Sequence, residues 1–417
     1  MRVDGKVEGP RQSMSWLHTW ASLILGWLLY AIFLTGTLSF FQTEITTWMK
    51  PEFHQSVPSQ SQVQQTQVAL NYLQQNHPNA GSWTIQLPNS RQNTTTLNIR
   101  KQGEDPRARR GGERVTIDSS TGQVLEARET RGGSFLYRFH FELYGMPRIW
   151  SRWIVGIATM FMLVAMISGI ITHKKIFKDF FTFRSGKGQR SWLDAHNATA
   201  VFALPFHLMI TLSGLLLLLF TIMPWGVDQV YEGRGAFLQD QRKSLIQAAP
   251  EDTSNTPAAQ GENAQRGQRS EMSEAQQARG EGQQAREARG NRGEGRKKRE
   301  PAQAAPLADL APILSQAQQK WQDNPVSTIS IKAPNTTQAK IELRALHAAS
   351  VAHRGVYETL DFDGVTGQNI TDESAKLKNP SIPNGIYNVV TVLHEARGVD
   401  LALRWILFLS GVVGTIM

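Results

Sequence analysis

A hydrocarbon core of about 30 Å takes roughly 20 helical residues to cross, and this chain returns to about that length of apolar sequence four times. Residues 16–41, 151–172 and 197–223 carry almost no charge inside and have Trp, Lys or Arg at their borders, as interfacial anchors do. A fourth run, 399–417, sits at the lower limit of length and reads either as a tilted minimal helix or as a truncated one. The first run is too long for the core of a signal peptide and lacks a small-x-small cleavage site, so it is expected to remain as an anchor. The expected fold is a membrane α-helical bundle of four transmembrane helices.

Orientation follows from the short basic segments, because Lys and Arg next to helix ends are retained on the cytoplasmic side. Arg2, Lys6 and Arg11 lie in the N-terminal segment 1–15, and the loop 173–196 carries Lys174, Lys175, Lys178, Arg184, Lys187 and Arg190. Both segments are expected in the cytoplasm. That places 42–150 and 224–398 in the periplasm, as the two exported domains of a multi-pass protein of a bacterial inner membrane.

Hydrophobic residues make up 41% of the chain, as expected when short spans alternate with long polar domains. There is no cysteine, which removes disulfides, iron–sulfur clusters, thiolate ligation and covalent haem attachment in one step. The net charge of +9 does not argue for nucleic acid, because much of it lies in the membrane-flanking loops and in the Arg/Gln/Gly/Glu-rich stretch 263–300. That stretch has almost no large apolar side chains to bury, so a disordered insertion over about 250–305 is expected in the second exported domain.

An internal repeat organises the remainder. His18 is followed 17 and 18 residues later by Thr35 and Gly36, and His196 by Ser213 and Gly214 at the same offsets. His140 precedes Gly145 and then Arg152-Trp153-Ile154; His394 precedes Gly398 and then Arg404-Trp405-Ile406. Each exported half contains one matched turn, with Asp118, Thr121 and Gly122 in the first and Asp363, Thr366 and Gly367 in the second, suited to a short hairpin. Helical spacing at 62–76 and 308–321, followed by strand-like segments 82–87, 94–99, 114–117 and 328–331, 340–343, 356–362, predicts a helix on a small antiparallel sheet in each half. The chain is helix, α+β domain, helix, written twice.

Histidines at or inside apolar runs are costly unless a cation, a proton path or a partner satisfies them. His18, His173, His196 and His207 lie in or beside the apolar runs, and His140 and His394 lie more than a turn outside them, on the far side from His18, His173 and His196. The exported halves with their Asp-x-x-Thr-Gly hairpins resemble PepSY domains, and the intervening helices resemble the PepSY-associated transmembrane family over most of the chain. Stretches 169–183 and 191–214 are similar to its branch of iron-regulated inner-membrane proteins and siderophore-iron reductases. That resemblance implies haem b, two copies, between the helices and a ferric siderophore as electron acceptor. The Arg/Gln-rich insertion and the short fourth run depart from the pattern.

On one straight helix His196 and His207 are separated by about 1100° of rotation and about 16 Å of rise, so they would face one way at two depths. The expectation is one haem ligated by His196 with His18 or His173, and a second by His207 with His140 or His394, brought in by a bend at Gly145 and Gly398. Arg148, Arg152, Arg397 and Arg404 at the periplasmic helix ends are candidates to pair haem propionates or an anionic chelate, and otherwise lipid headgroups. Glu142 and Glu395 are candidates to orient the imidazoles of His140 and His394. His54, His77, His347 and His353 read as surface or turn residues.

Three function classes follow: a haem-containing reductase of ferric siderophores, a metal or siderophore transport component, and a non-enzymatic binding or regulatory protein. No strand leads into a G-x-G-x-x-G helix start, so no nicotinamide or flavin domain is encoded, and the electron donor is left as quinol or a cytoplasmic reductase.

Overall fold

The protein is seen in a computed structural model that describes residues 9–59, 61–104, 111–173, 175–179, 181–245, 303–372 and 379–417. All but the last three residues of the expected insertion lie outside the described residues.

Among the described residues, two helices are long and apolar enough to cross a membrane unaided. They are α1 (Pro10–Ser39), with Pro10 in its first turn where a missing N–H costs nothing, and α5 (Arg148–Thr172). They pack along each other, burying Ile32, Val155 and Ala158 with Leu218. The third apolar run is not the continuous helix expected over 197–223. It is α7 (Gln189–Phe202) and α8 (Leu204–Leu217), bent by 67° at Ala203. Pro205 has no N–H to give to Val201 and its ring would clash with that carbonyl, so the helix stops and restarts, with the His207 amide capping back onto the Ala203 carbonyl at 2.8 Å. Shorter helices follow: α9 (Leu219–Ile222), α10 (Pro224–Asp228) and α11 (Gly233–Leu245).

The fourth apolar run forms a helix of 16 residues, Leu401–Ile416, whose N-terminus is capped by Asp400 accepting from the Leu403 amide at 2.7 Å. Gly411 and Gly414 press its backbone onto Thr37 and Phe33 of α1, where any side chain would overlap. Small residues at such a crossing let two helices approach in lipid.

The two polar halves share one sheet. Strands β1 (Ser82–Gln86), β2 (Thr95–Arg100) and β3 (Glu113–Ile117) from the first half join β4 (Val326–Lys332), β5 (Lys340–Ala348) and β6 (Tyr357–Asp363) from the second in one antiparallel sheet, ordered β3-β2-β1-β4-β5-β6. The join is β1 against β4, with Trp83 opposite Ile331 and Ile85 opposite Ile329. Each half alone would leave an edge of unpaired N–H and C=O groups; pairing the two edges removes both. The helices α3 (Gln62–Asn76) and α12 (Leu310–Trp321) cover one face, burying Leu73, Trp83, Ile313 and Phe362 among others. The other face carries the polar side chains of the alternating strands.

Two further helices return the chain to the bundle: α4 (Gly132–Glu142) against α1 and α5, and α13 (Ile382–Glu395) against α8; the 401–416 helix is α14. Each ends in a left-handed turn, through Leu143 and Gly145 or through Ala396 and Gly398. Those turns let α4 and α13 fold back beside the helices that follow them.

The matched turns are built alike. Asp118 Oδ1 accepts from the amides of Ser120 and Thr121, both at 2.8 Å, and Asp363 Oδ1 from those of Val365 at 3.0 Å and Thr366 at 2.8 Å, ahead of Gly122 and Gly367 at φ +77° and +71°. The Thr366 and Val365 amides hold the Asp363 carboxyl below its ordinary pKa. Burial pushes the Asp118 carboxyl up, but the Ser120 hydroxyl and the turn amides outweigh it and the net shift is downward. A lowered folded-state pKa gives stability that is present above the unfolded value near 4 and is lost as pH falls through the folded one. Asp118→Ala and Asp363→Ala should each cost about 1–2 kcal/mol at neutral pH. In thermal unfolding of the solubilised protein, the deficit should shrink as the pH is lowered towards 3.

Candidate functional site

Four histidines stand in two facing pairs. Towards the N-terminal end of α1, His18 faces His196 of α7 with ring centroids 6.2 Å apart. Towards its other end, His140 of α4 faces His394 of α13 at 5.9 Å. His140 docks at Ile32, which lies about 21 Å along α1 from His18.

Every one of these rings is held by its Nδ1. His18 bonds the Ala165 carbonyl of α5 at 2.8 Å, His140 the Ile32 carbonyl of α1 at 2.8 Å, and His196 the Met417 carbonyl at 3.2 Å. His394 lies 2.6 Å from Ser213 Oγ, whose own proton goes to the Ile210 carbonyl. Carbonyl oxygens only accept, so Nδ1 carries the proton and Nε2 keeps its lone pair. Ala165 and Met417 lie eleven residues beyond Ile154 and Ile406, equivalent places in the two halves. The repeated glycines are the seats of the rings: a Cβ on Gly36 would stand 2.5 Å from His140 Nδ1, one on Gly214 3.3 Å from His394 Cε1, and one on Gly169 3.2 Å from His18 Cε1.

Two imidazoles that shared one metal ion, at roughly 2 Å per bond, would have ring centroids about 6 Å apart. Both pairs have about that separation, and the Nδ1 of each ring is engaged elsewhere. Among the described residues no group of three or more His, Asp or Glu is placed to hold a bare metal ion.

The pairing corrects part of the sequence-based expectation. His18, not His173, faces His196; His173 ends α5 with its Nδ1 buried and unpartnered. His207 is 1% exposed but packs edge-on to Phe33 and beside Phe206, and a Cβ on Gly414 would stand 2.7 Å from its Nε2. The bend at Ala203 separates it from His196, so the argument from a straight helix does not hold.

A cavity of about 280 Å³ opens between the bundle helices, with His140 and His394 in its wall. Its apolar lining includes Phe33, Phe141, Val155, Met162, Phe206 and Leu218, and its polar rim Tyr137, Arg152, Arg234, Glu395 and Arg397. Glu142 and Glu395 do not orient the imidazoles, whose Nδ1 atoms are taken by other acceptors. Glu142 binds Arg152 at 2.7 Å and Arg148 at 3.5 Å; Glu395 binds Arg354 at 2.7 Å, Arg397 at 3.6 Å and the Tyr137 hydroxyl at 3.3 Å. Arg148 is largely exposed. Arg404 is buried and turned to Glu44, 3.5 Å away, which also takes Arg91 at 2.8 Å, so it ties the sheet domain to α14 rather than lining the cavity.

Arg234, Arg354 and Tyr137 were not picked out in the sequence. Tyr137 had a signal, lying one turn before His140 on the same helix face. Arg354 is in the β5–β6 connection and reaches Glu395 only through the tertiary fold.

No curated protein matches this chain at a significant level. The sequence pattern of the PepSY-associated TM region matches residues 15–417, nearly the whole length, and takes in both histidine pairs and the sheet. With its apolar helices, this makes the chain a membrane protein, and it belongs to the PepSY-associated transmembrane family.

Proposed function

We propose that this chain is a haem b electron-transfer protein of the bacterial inner membrane that reduces a ferric siderophore on the periplasmic side. The observation that carries this reading is the doubled imidazole geometry: two pairs with centroids 6.2 and 5.9 Å apart, at opposite ends of one membrane helix, each ring fixed through Nδ1. His18 and His196 would hold one haem, and His140 and His394 the other. Bound haem supplies a reversible one-electron iron couple.

The chain's own groups do the rest. The Nδ1 bonds set ring orientation and strengthen Nε2 as a ligand. The apolar cavity wall keeps water from the outer pair, and Arg152, Arg234 and Arg397 present cations at its rim to propionates or to an anionic chelate. Glu142 holds Arg152 in place and Glu395 holds Arg397. Transfer of one electron turns Fe(III), which hard oxygen ligands bind well, into Fe(II), which they bind poorly, and the iron is released for uptake. The donor is a quinol or a cytoplasmic reductase.

Protein purified from iron-replete cells should show a Soret band and sharp α and β bands on dithionite reduction; colourless protein overturns the reading. His18→Ala and His140→Ala should each remove about half of the haem, measured as pyridine haemochrome per protein, whereas His207→Ala should leave the content unchanged. Gly36→Val, which drives a side chain into His140, should mimic His140→Ala and spare the other haem.

A further inference from the structure

One end of the bundle carries a feature that the redox reading does not use. The segment following α5 holds Lys175, Lys178, Arg184, Lys187 and Arg190, all but Arg184 exposed, and beside them Phe177, Phe183 and Trp192 are 62%, 57% and 79% exposed. This is not a loose loop. Asp194, itself 8% exposed, grips Arg184 through both carboxylate oxygens at 2.9 and 3.1 Å, and Ser191 Oγ ties the Arg184 carbonyl at 2.6 Å to the Lys187 amide at 2.9 Å. Gly186 and Gly188, at φ +70° and +58°, close the turn. The clamp neutralises Arg184 and presents Lys187, Arg190 and Trp192 together.

The height of this end follows from α1. Arg11 Nε donates to the Thr172 carbonyl at 2.6 Å, so the start of α1 meets the end of α5, and the exposed Trp16 and Trp20 of α1 lie at the same end. Tryptophans in that position mark the headgroup layer. Large aromatic side chains interleaved with Lys and Arg at that level match a surface that is apolar below and anionic above. A soluble acidic partner would account for the cations but would leave three large aromatic side chains beside the bilayer without a role.

We propose that this end of the bundle is a binding site for anionic phospholipid: Lys175, Lys178, Lys187 and Arg190 take headgroup phosphates, while Phe177, Phe183 and Trp192 enter the interfacial layer. Trp192 lies about one helical turn before His196 on α7, so the bound lipid buttresses the helix start that carries one member of that histidine pair. The lipid site itself does not require haem.

The test is tryptophan quenching of the full chain in phosphatidylcholine bilayers doped with dibrominated phosphatidylglycerol or dibrominated phosphatidylcholine. The wild type should bind the anionic lipid several-fold more strongly, and 1 M NaCl, where the Debye length is about 3 Å, should erase most of the preference. Lys187→Gln with Arg190→Gln should lower it by roughly fivefold per cation removed, down to no preference. Trp192→Phe should lose the quenched component specific to the anionic lipid. Equal quenching by both lipids in the wild type, or a preference that survives in the double variant, overturns the proposal; inorganic phosphate added in detergent should leave the fluorescence unchanged.

Discussion

A lipid-embedded bundle has no water with which to satisfy a buried imidazole, so each ring must find its acceptor on a neighbouring helix. Here Ala165, Met417 and Ile32 supply backbone carbonyls and Ser213 a hydroxyl, and those four bonds decide which face of each ring remains open. Small residues and tight turns in the bundle make room for that arrangement. Gly36, Gly169 and Gly214 give the rings space, and the left-handed turns at Gly145 and Gly398 fold α4 and α13 back alongside the bundle.

The sheet domain is tied to this core at two points. Arg91, in the β1–β2 connection, meets Glu44 of α2 (Gln42–Trp48), which also faces Arg404 of α14; burial pushes the Glu44 carboxyl up, but Arg91, a backbone amide and the Arg404 charge together outweigh it and the net shift is downward. The second tie is the β5–β6 connection, where Arg354 binds Glu395 and the Ala352 carbonyl accepts from Asn388 of α13 at 2.7 Å. The helix bearing His394 is therefore held from outside by the sheet domain, while the helix bearing His140 leans on α1 and α5. The two halves share a plan but not an identical set of supports.

Much of this was legible in the residues. The spacing of His18 to Thr35-Gly36 and of His196 to Ser213-Gly214 marked the repeat, and the six strand segments fall within a few residues of where alternation placed them. The choice of His18 as the companion of His196 was one of two alternatives at the same level. Other features were written in the sequence but misread, as with Pro205, which breaks the helix between His196 and His207. A rotation angle computed along a straight helix cannot survive such a break.

By itself the sequence determined the local matters: where apolar length permits a span, where Asp and Gly turn a hairpin, which positions repeat, and which ligand chemistries the lack of cysteine removes. These depend on neighbours within a turn or two, and the chain carries them wherever it goes. Tertiary structure alone decided that β1 and β4 merge two sheets into one, that His140 faces His394, that Glu395 serves Arg354 and Tyr137 rather than an imidazole, and that His207 is enclosed by Phe33 and Gly414. Each of those contacts joins residues far apart in the chain, and their partners are fixed by edge pairing and helix packing, which no local pattern encodes.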